Sequence, residues 1–174
     1  MKKTSNASLY TEKLTPEEIS NRFLTALTER YWAEKALLEL LPTLSRTATS
    51  YELITAINLH QKVTQHQIDR LIYIFDSLQE RVVGSKYEVM EQLIVQAQAA
   101  IPSQAGFKRD SAIISACRNI MSHEIAIYEN LIFYAHLLEL STVADYLAKA
   151  VSEERSARAQ FSEIVLSDIY SEAG

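Results

Sequence analysis

The chain has 174 residues, of which 48% are hydrophobic and 22% charged, with a formal net charge of -5. That is enough apolar material for one domain with a buried core, and the scattered lysines and arginines lack the clustered basic face that nucleic acid requires. Only three glycines and three prolines leave too few turn-formers for an all-β fold and favour long helices.

Cys117 is the only cysteine, so no intramolecular disulfide can form, which fits a reducing compartment. The chain opens with Lys2 and Lys3, but no apolar run follows them. It is read as neither signal peptide nor membrane span. The expectation is a flexible polar tail over 1–14, then a single domain over 15–172, in a cytoplasmic protein.

Thr15-Pro16-Glu17-Glu18 predicts a helix start, with Thr15 as cap, Pro16 in the first turn and Glu18 completing a capping box. The stripe Leu24, Leu27, Tyr31, Glu34, Leu38, Leu41 steps by three and four, one helix face. Pro42 lacks an N–H and crowds the carbonyl of Leu38, which predicts a kink or a helix end there. Ser45 to Ser50 then links to the second helix, from near Ser50 to about Leu78, with Leu53, Ile57, His60, Thr64, Gln67, Leu71 and Ile74 facing inward.

Gly84-Ser85 breaks the chain before a short helix over about 86–100, in which Val89, Leu93 and Ile94 are apolar, and residues 101–106 read as a loop. The third long helix starts near Asp110 and runs to about Leu138, with the stripe Ile113, Cys117, Ile120, Glu124, Tyr128, Leu131, Ala135. Its second half is apolar almost all round and must be covered on more than one side, by the short helix or by a second subunit. Ser141 or Thr142 caps the fourth, whose inner face reads Val143, Leu147, Ala150, Glu154, Ala157, Phe161, Val165. Four long helices in two hairpins, joined by one crossover of about 30 residues, are the connectivity of a ferritin-like four-helix bundle.

Glu34, His60, Glu124 and Glu154 each interrupt an apolar stripe near the middle of a helix. Antiparallel helices of similar length bring their middles to one level, and a buried charge is costly unless paired or bound to metal. A full di-iron site takes a Glu from two helices and Glu-x-x-His from the other two. Here Val63 stands one turn after His60, the third helix offers Met121-Ser122-His123-Glu124, and the fourth has no histidine. Three carboxylates and one imidazole suit one ion rather than two. Without metal, the carboxylates pair with Arg, Lys or Tyr, Tyr31 and Tyr128 donate to them, and some keep their protons. His60 is then a satisfied core histidine, Gln67 a core hydrogen-bonder and Cys117 a small core residue. His66, Glu153 and Arg155 read as surface groups.

Tyr31-Trp32-Ala33-Glu34-Lys35-Ala36-Leu37, then Leu41-Pro42, resembles the Y-x-A-E-K-x-L…L-P opening of the YciE/YciF-type ferritin-like stress proteins. The likeness continues in order through Glu52-Leu53, His60…Thr64…Gln67-Ile68…Arg70-Leu71, Lys86…Met90…Leu93-Ile94, Glu124-Ile125-Ala126…Tyr128 and Glu153-Glu154. It spans roughly residues 20–168. The resemblance implies a bundle, usually dimeric, in bacteria under osmotic, oxidative or desiccation stress. It carries metal positions over to Glu34, Glu124 and Glu154, with His60 matching the second-helix histidine. Departures fall at that site: Val63 where the family has H-x-x-E-T, Met121 and Ser122 where it has E-H-x-E, and Ser152 where a third acid often stands. Tyr87 and Gln92 replace a frequent Cys and Gly.

The expectation is therefore a divergent stress-associated member with a degenerate di-metal site of Glu34, His60, Glu124 and Glu154. It binds iron or manganese weakly or not at all and acts as a structural or binding homodimer, with no nucleic acid or membrane partner. The rivals are an active non-haem iron or manganese oxidoreductase acting on peroxide or dioxygen, and a plain helical interaction module. Iron storage, which needs a closed many-subunit shell, is not expected.

Overall fold

The computed structural model describes residues 14–103 and 105–172, with side chains at all of these except 103 and 165–172. Among the described residues there are five helices and no strand. Residues 1–13 of the tail expected over 1–14, and the side chain of Val165, lie outside them.

Helix α1 spans Pro16–Thr47. Its capping box forms as the sequence dictates: Glu18 N donates to Thr15 Oγ1 at 3.2 Å, and Thr15 N donates to Glu18 Oε2 at 2.7 Å. The helix does not end at Pro42 but continues to Thr47. Apolar packing of Leu40, Leu41 and Leu44 outweighs the one hydrogen bond that proline removes. The inner face is also turned by about one position. Phe23, Leu27, Arg30, Ala33, Glu34, Leu37 and Leu40 are buried, whereas Leu24, Tyr31 and Leu38 are only partly so.

Helix α2, Tyr51–Ser77, begins at its Ser50 cap and buries the whole expected stripe. A buried carboxylate fixes the α1–α2 turn. Asp110 accepts from Thr49 N at 2.9 Å, Thr49 Oγ1 at 2.7 Å and Ser50 N at 2.7 Å. The crossover then passes close over α1, where Ser85 N donates to the carbonyl of Thr28 at 3.1 Å. A Cβ on Gly84 would meet Trp32 Cβ at 3.2 Å, so a side chain here would push the strap a few tenths of an ångström off α1.

Helix α3, Glu88–Ser103, extends into the first half of the loop expected over 101–106. It buries Met90 and Ala97, while Val89 is 44% exposed. It packs on α1 and on the first half of α4 (Gly106–Leu137), beside Ile113, Cys117 and Met121. The apolar second half of α4 is therefore not covered by it. Helix α5 spans Ser141–Glu172, and its first carbonyl acceptor is Leu140, so Ser141 lies inside the helix instead of capping it.

Helices α1 and α2 pair, as do α4 and α5, and α1 lies on α4 and α2 on α5. Arg30 meets Glu124 while Thr49 meets Asp110, so α1 and α4 run antiparallel. Gln67 meets Glu154 and His60 meets Phe161, so α2 and α5 do too. Two antiparallel hairpins with one long crossover make this a ferritin-like bundle. Its core falls into two apolar clusters. One gathers Leu37, Leu41, Leu53, Ile57, Ile120 and Phe161, the other Phe23, Leu27, Leu71, Leu131, Leu147 and Val151. Between them lies a polar layer.

Candidate metal centre

The layer contains all four residues singled out in the sequence. Glu34, Glu124 and Glu154 are fully buried and His60 is 2% exposed. Each sits near the middle of its own long helix, which is what places them at one level. His60, Glu124 and Glu154 each offer an atom within 4.8 Å of the others. Glu34 is not in that group, and a residue outside the predicted stripe bridges it to Glu124.

That residue is Arg30, one turn before Glu34 and 1% exposed. Its Nη2 donates to Glu124 Oε1 at 2.8 Å, and its Nε lies 3.4 Å from Glu34 Oε1. Tyr128 donates its hydroxyl to Glu34 Oε1 at 2.5 Å, and the guanidinium stands 5.2 Å from the Tyr128 ring. Tyr128 thus donates to a carboxylate as expected. Tyr31 does not: it is half-buried and packs edge-on to Phe75 at 6.0 Å between centroids. On the other side, Gln67 Nε2 donates to Glu154 Oε1 at 2.8 Å. Glu153, expected at the surface, is partly buried and paired with Arg70. Arg155 is exposed as expected and binds Glu129 at 2.5 Å.

The electrostatics follow from burial in a low-dielectric layer. Burial opposes the charge on Arg30, but Glu34 and Glu124 outweigh it and hold the guanidinium protonated. Burial, then the charges of Glu154 and Glu34, push the Glu124 carboxyl well above the usual range. Burial raises Glu34 and Glu154 as well, but the hydroxyl of Tyr128 and the donors Gln67 and Glu124 work against the rise. Glu124 is thus the carboxyl that burial and its two acidic neighbours most favour in the protonated form. Burial lowers His60 to about 4, so its imidazole is neutral. Cys117 is buried, and its thiol is pushed up to about 12 by burial.

Whether these residues fit a metal has a different answer for each of two positions. Both ring nitrogens of His60 are buried without a hydrogen-bond partner. A neutral imidazole beside two carboxyl groups is a donor set for one divalent cation. A second ion does not fit. The space between Glu34 and Glu124 holds a guanidinium, and Val63 offers no ligand atom. The missed signal was available as Arg30-x-x-x-Glu34, an opposite-charge pair spaced to share one helix face.

Residues 18–173 match the family described as Domain of unknown function (DUF892). The chain belongs to this family. Against the protein YciF of Escherichia coli it is 28% identical over 157 residues, covering 89% of this chain and 95% of YciF. The crystal structure of that stress protein superimposes with a TM-score of 0.84 over 87% of this chain and 97% of the other, at 27% identity. YcfI from Rhodopseudomonas palustris gives a TM-score of 0.79 over 88% and 97%, also at 27% identity. The fold is thus shared over nearly the whole length of both neighbours.

Proposed function

We propose that this chain is a stress-associated DUF892 protein with a degenerate di-metal carboxylate site, binding at most one metal weakly and acting as a structural or binding homodimer. The observation that carries the reading is Arg30, whose guanidinium holds Glu34 and Glu124 together and so supplies the positive charge that a second metal would bring. The stress association rests on the likeness to the E. coli stress protein YciF.

A second reading, a single-ion oxidoreductase acting on peroxide or dioxygen, is favoured by the cluster of His60, Glu124 and Glu154. A hard divalent cation there would supply Lewis acidity and open positions for an oxygen ligand. For its part the chain offers the imidazole of His60, releases the proton held on Glu124, and keeps Glu154 oriented through Gln67. The guanidinium of Arg30 repels any such ion, which is why binding is weak.

Elemental analysis of protein purified without chelator tests both. The expected result is no more than one iron or manganese per chain, none in Glu154→Gln, and greater uptake in Arg30→Ala on metal loading. Two tightly held ions per wild-type chain, with turnover of peroxide, would overturn the proposal.

A further inference from the structure

On the outer surface, away from the polar layer, the seam between α4 and α5 opens into a cleft of about 400 Å³. Ser115, Arg118 and Asn119 line it from α4, and Arg155 and Arg158 from α5. The two helices run antiparallel, and in each the lining residues step by three and four, so the side chains oppose one another across the groove.

Three guanidiniums meet here in a chain of net charge -5, and no acidic side chain lines the cleft. Their partners leave most of that charge uncompensated. Arg155 binds Glu129 at the rim, at 2.5 Å. Arg158 Nη1 reaches across to Ser122 Oγ at 3.2 Å, a neutral acceptor. Arg118 makes no ion pair among the described residues. The hydroxyls of Ser122 and Ser162 are turned back onto the carbonyls of Arg118 and Arg158, at 2.8 and 2.9 Å. The donors presented to the cleft are therefore guanidinium N–H groups, the amide of Asn119 and the hydroxyl of Ser115.

Planar guanidinium forks match the oxygens of a phosphoryl group, two bonds at a time, better than any other common side chain does. The cleft volume is that of a site for a small organic ligand. We propose that this cleft binds a small phosphorylated molecule, with Arg118 and Arg158 on a phosphoryl group and Asn119 and Ser115 on neighbouring oxygens. The site is independent of the metal question, since none of these side chains belongs to the polar layer.

The test is calorimetric titration of the full-length protein with inorganic pyrophosphate at low salt, with citrate as a carboxylate control. The expected result is saturable binding of one pyrophosphate per chain, weakened about tenfold by Arg118→Gln and again by Arg158→Gln, the factor for loss of one charge-assisted hydrogen bond. Arg46→Gln, at an exposed arginine on α1, should bind as the wild type does. Arg118 and Arg158 are both exposed, so the variants should fold, which circular dichroism checks. No saturable binding, or undiminished binding by the double variant, would overturn the proposal. So would citrate binding as tightly as pyrophosphate, or binding only to duplex DNA or anionic vesicles, which would make the cleft a general polyanion patch.

Discussion

At the scale of single residues, the buried layer makes the protein's stability depend on pH in a defined direction. Glu124 holds its proton in the fold well above the pH at which a free carboxyl loses it. Its contribution is complete below the unfolded value of about 4.5 and is lost as pH rises toward the folded one. Glu34 and Glu154 are raised too and act in the same sense. His60 is depressed to about 4 from 6.5. Its contribution is complete above 6.5 and is lost as pH falls toward 4, a span corresponding to roughly 3 kcal/mol. The two effects oppose each other between about 4.5 and 6.5. Urea unfolding should show the carboxyl effect as a difference between variants: relative to Glu124→Gln, which keeps an acceptor for Arg30, the wild type should lose stability as pH rises above 4.5. A difference that does not change with pH would refute the raised Glu124 carboxyl. The four polar positions were legible because a charge in an apolar stripe stands out. Arg30 was not, because the stripe was drawn through Tyr31, one position round the helix.

At the scale of helices and turns, caps and inner faces were read best where the pattern was densest. Every expected inward residue of α2 is buried, as is every one in the α4 stripe. Boundaries were read less well where tertiary packing overrides local chemistry, as at Pro42, where buried leucines on both sides carry the helix past the proline. Asp110 was read only as a helix start, yet it is a buried anchor for a turn 60 residues away, and no local pattern encodes such a pairing. Its three hydrogen bonds satisfy two backbone N–H groups at the start of α2. Asp110→Ala should cost about 2–3 kcal/mol in chemical denaturation, with Asp110→Asn losing about half as much. A loss below about 0.5 kcal/mol for the alanine variant would show that water replaces the carboxylate freely.

At the scale of the whole molecule, the topology was legible from two short links and one long one. Where the crossover helix rests was not, because its length fixes reach but not direction. It covers the first half of α4 and leaves Phe133 56% and Leu137 47% exposed in the second. A second copy of the chain over this face is the homodimer proposed above. Light scattering on a sizing column should give twice the mass of the chain, and Phe133→Glu should give a helical monomer. A monomeric wild type would remove the dimer from the reading. The polar layer has one more consequence at this scale. A metal must be acquired from a pool that the cell can exhaust, whereas the charge of Arg30 arrives with translation. On the proposed reading, the layer receives part of its counter-charge as soon as the chain folds, in iron-starved and iron-replete cells alike.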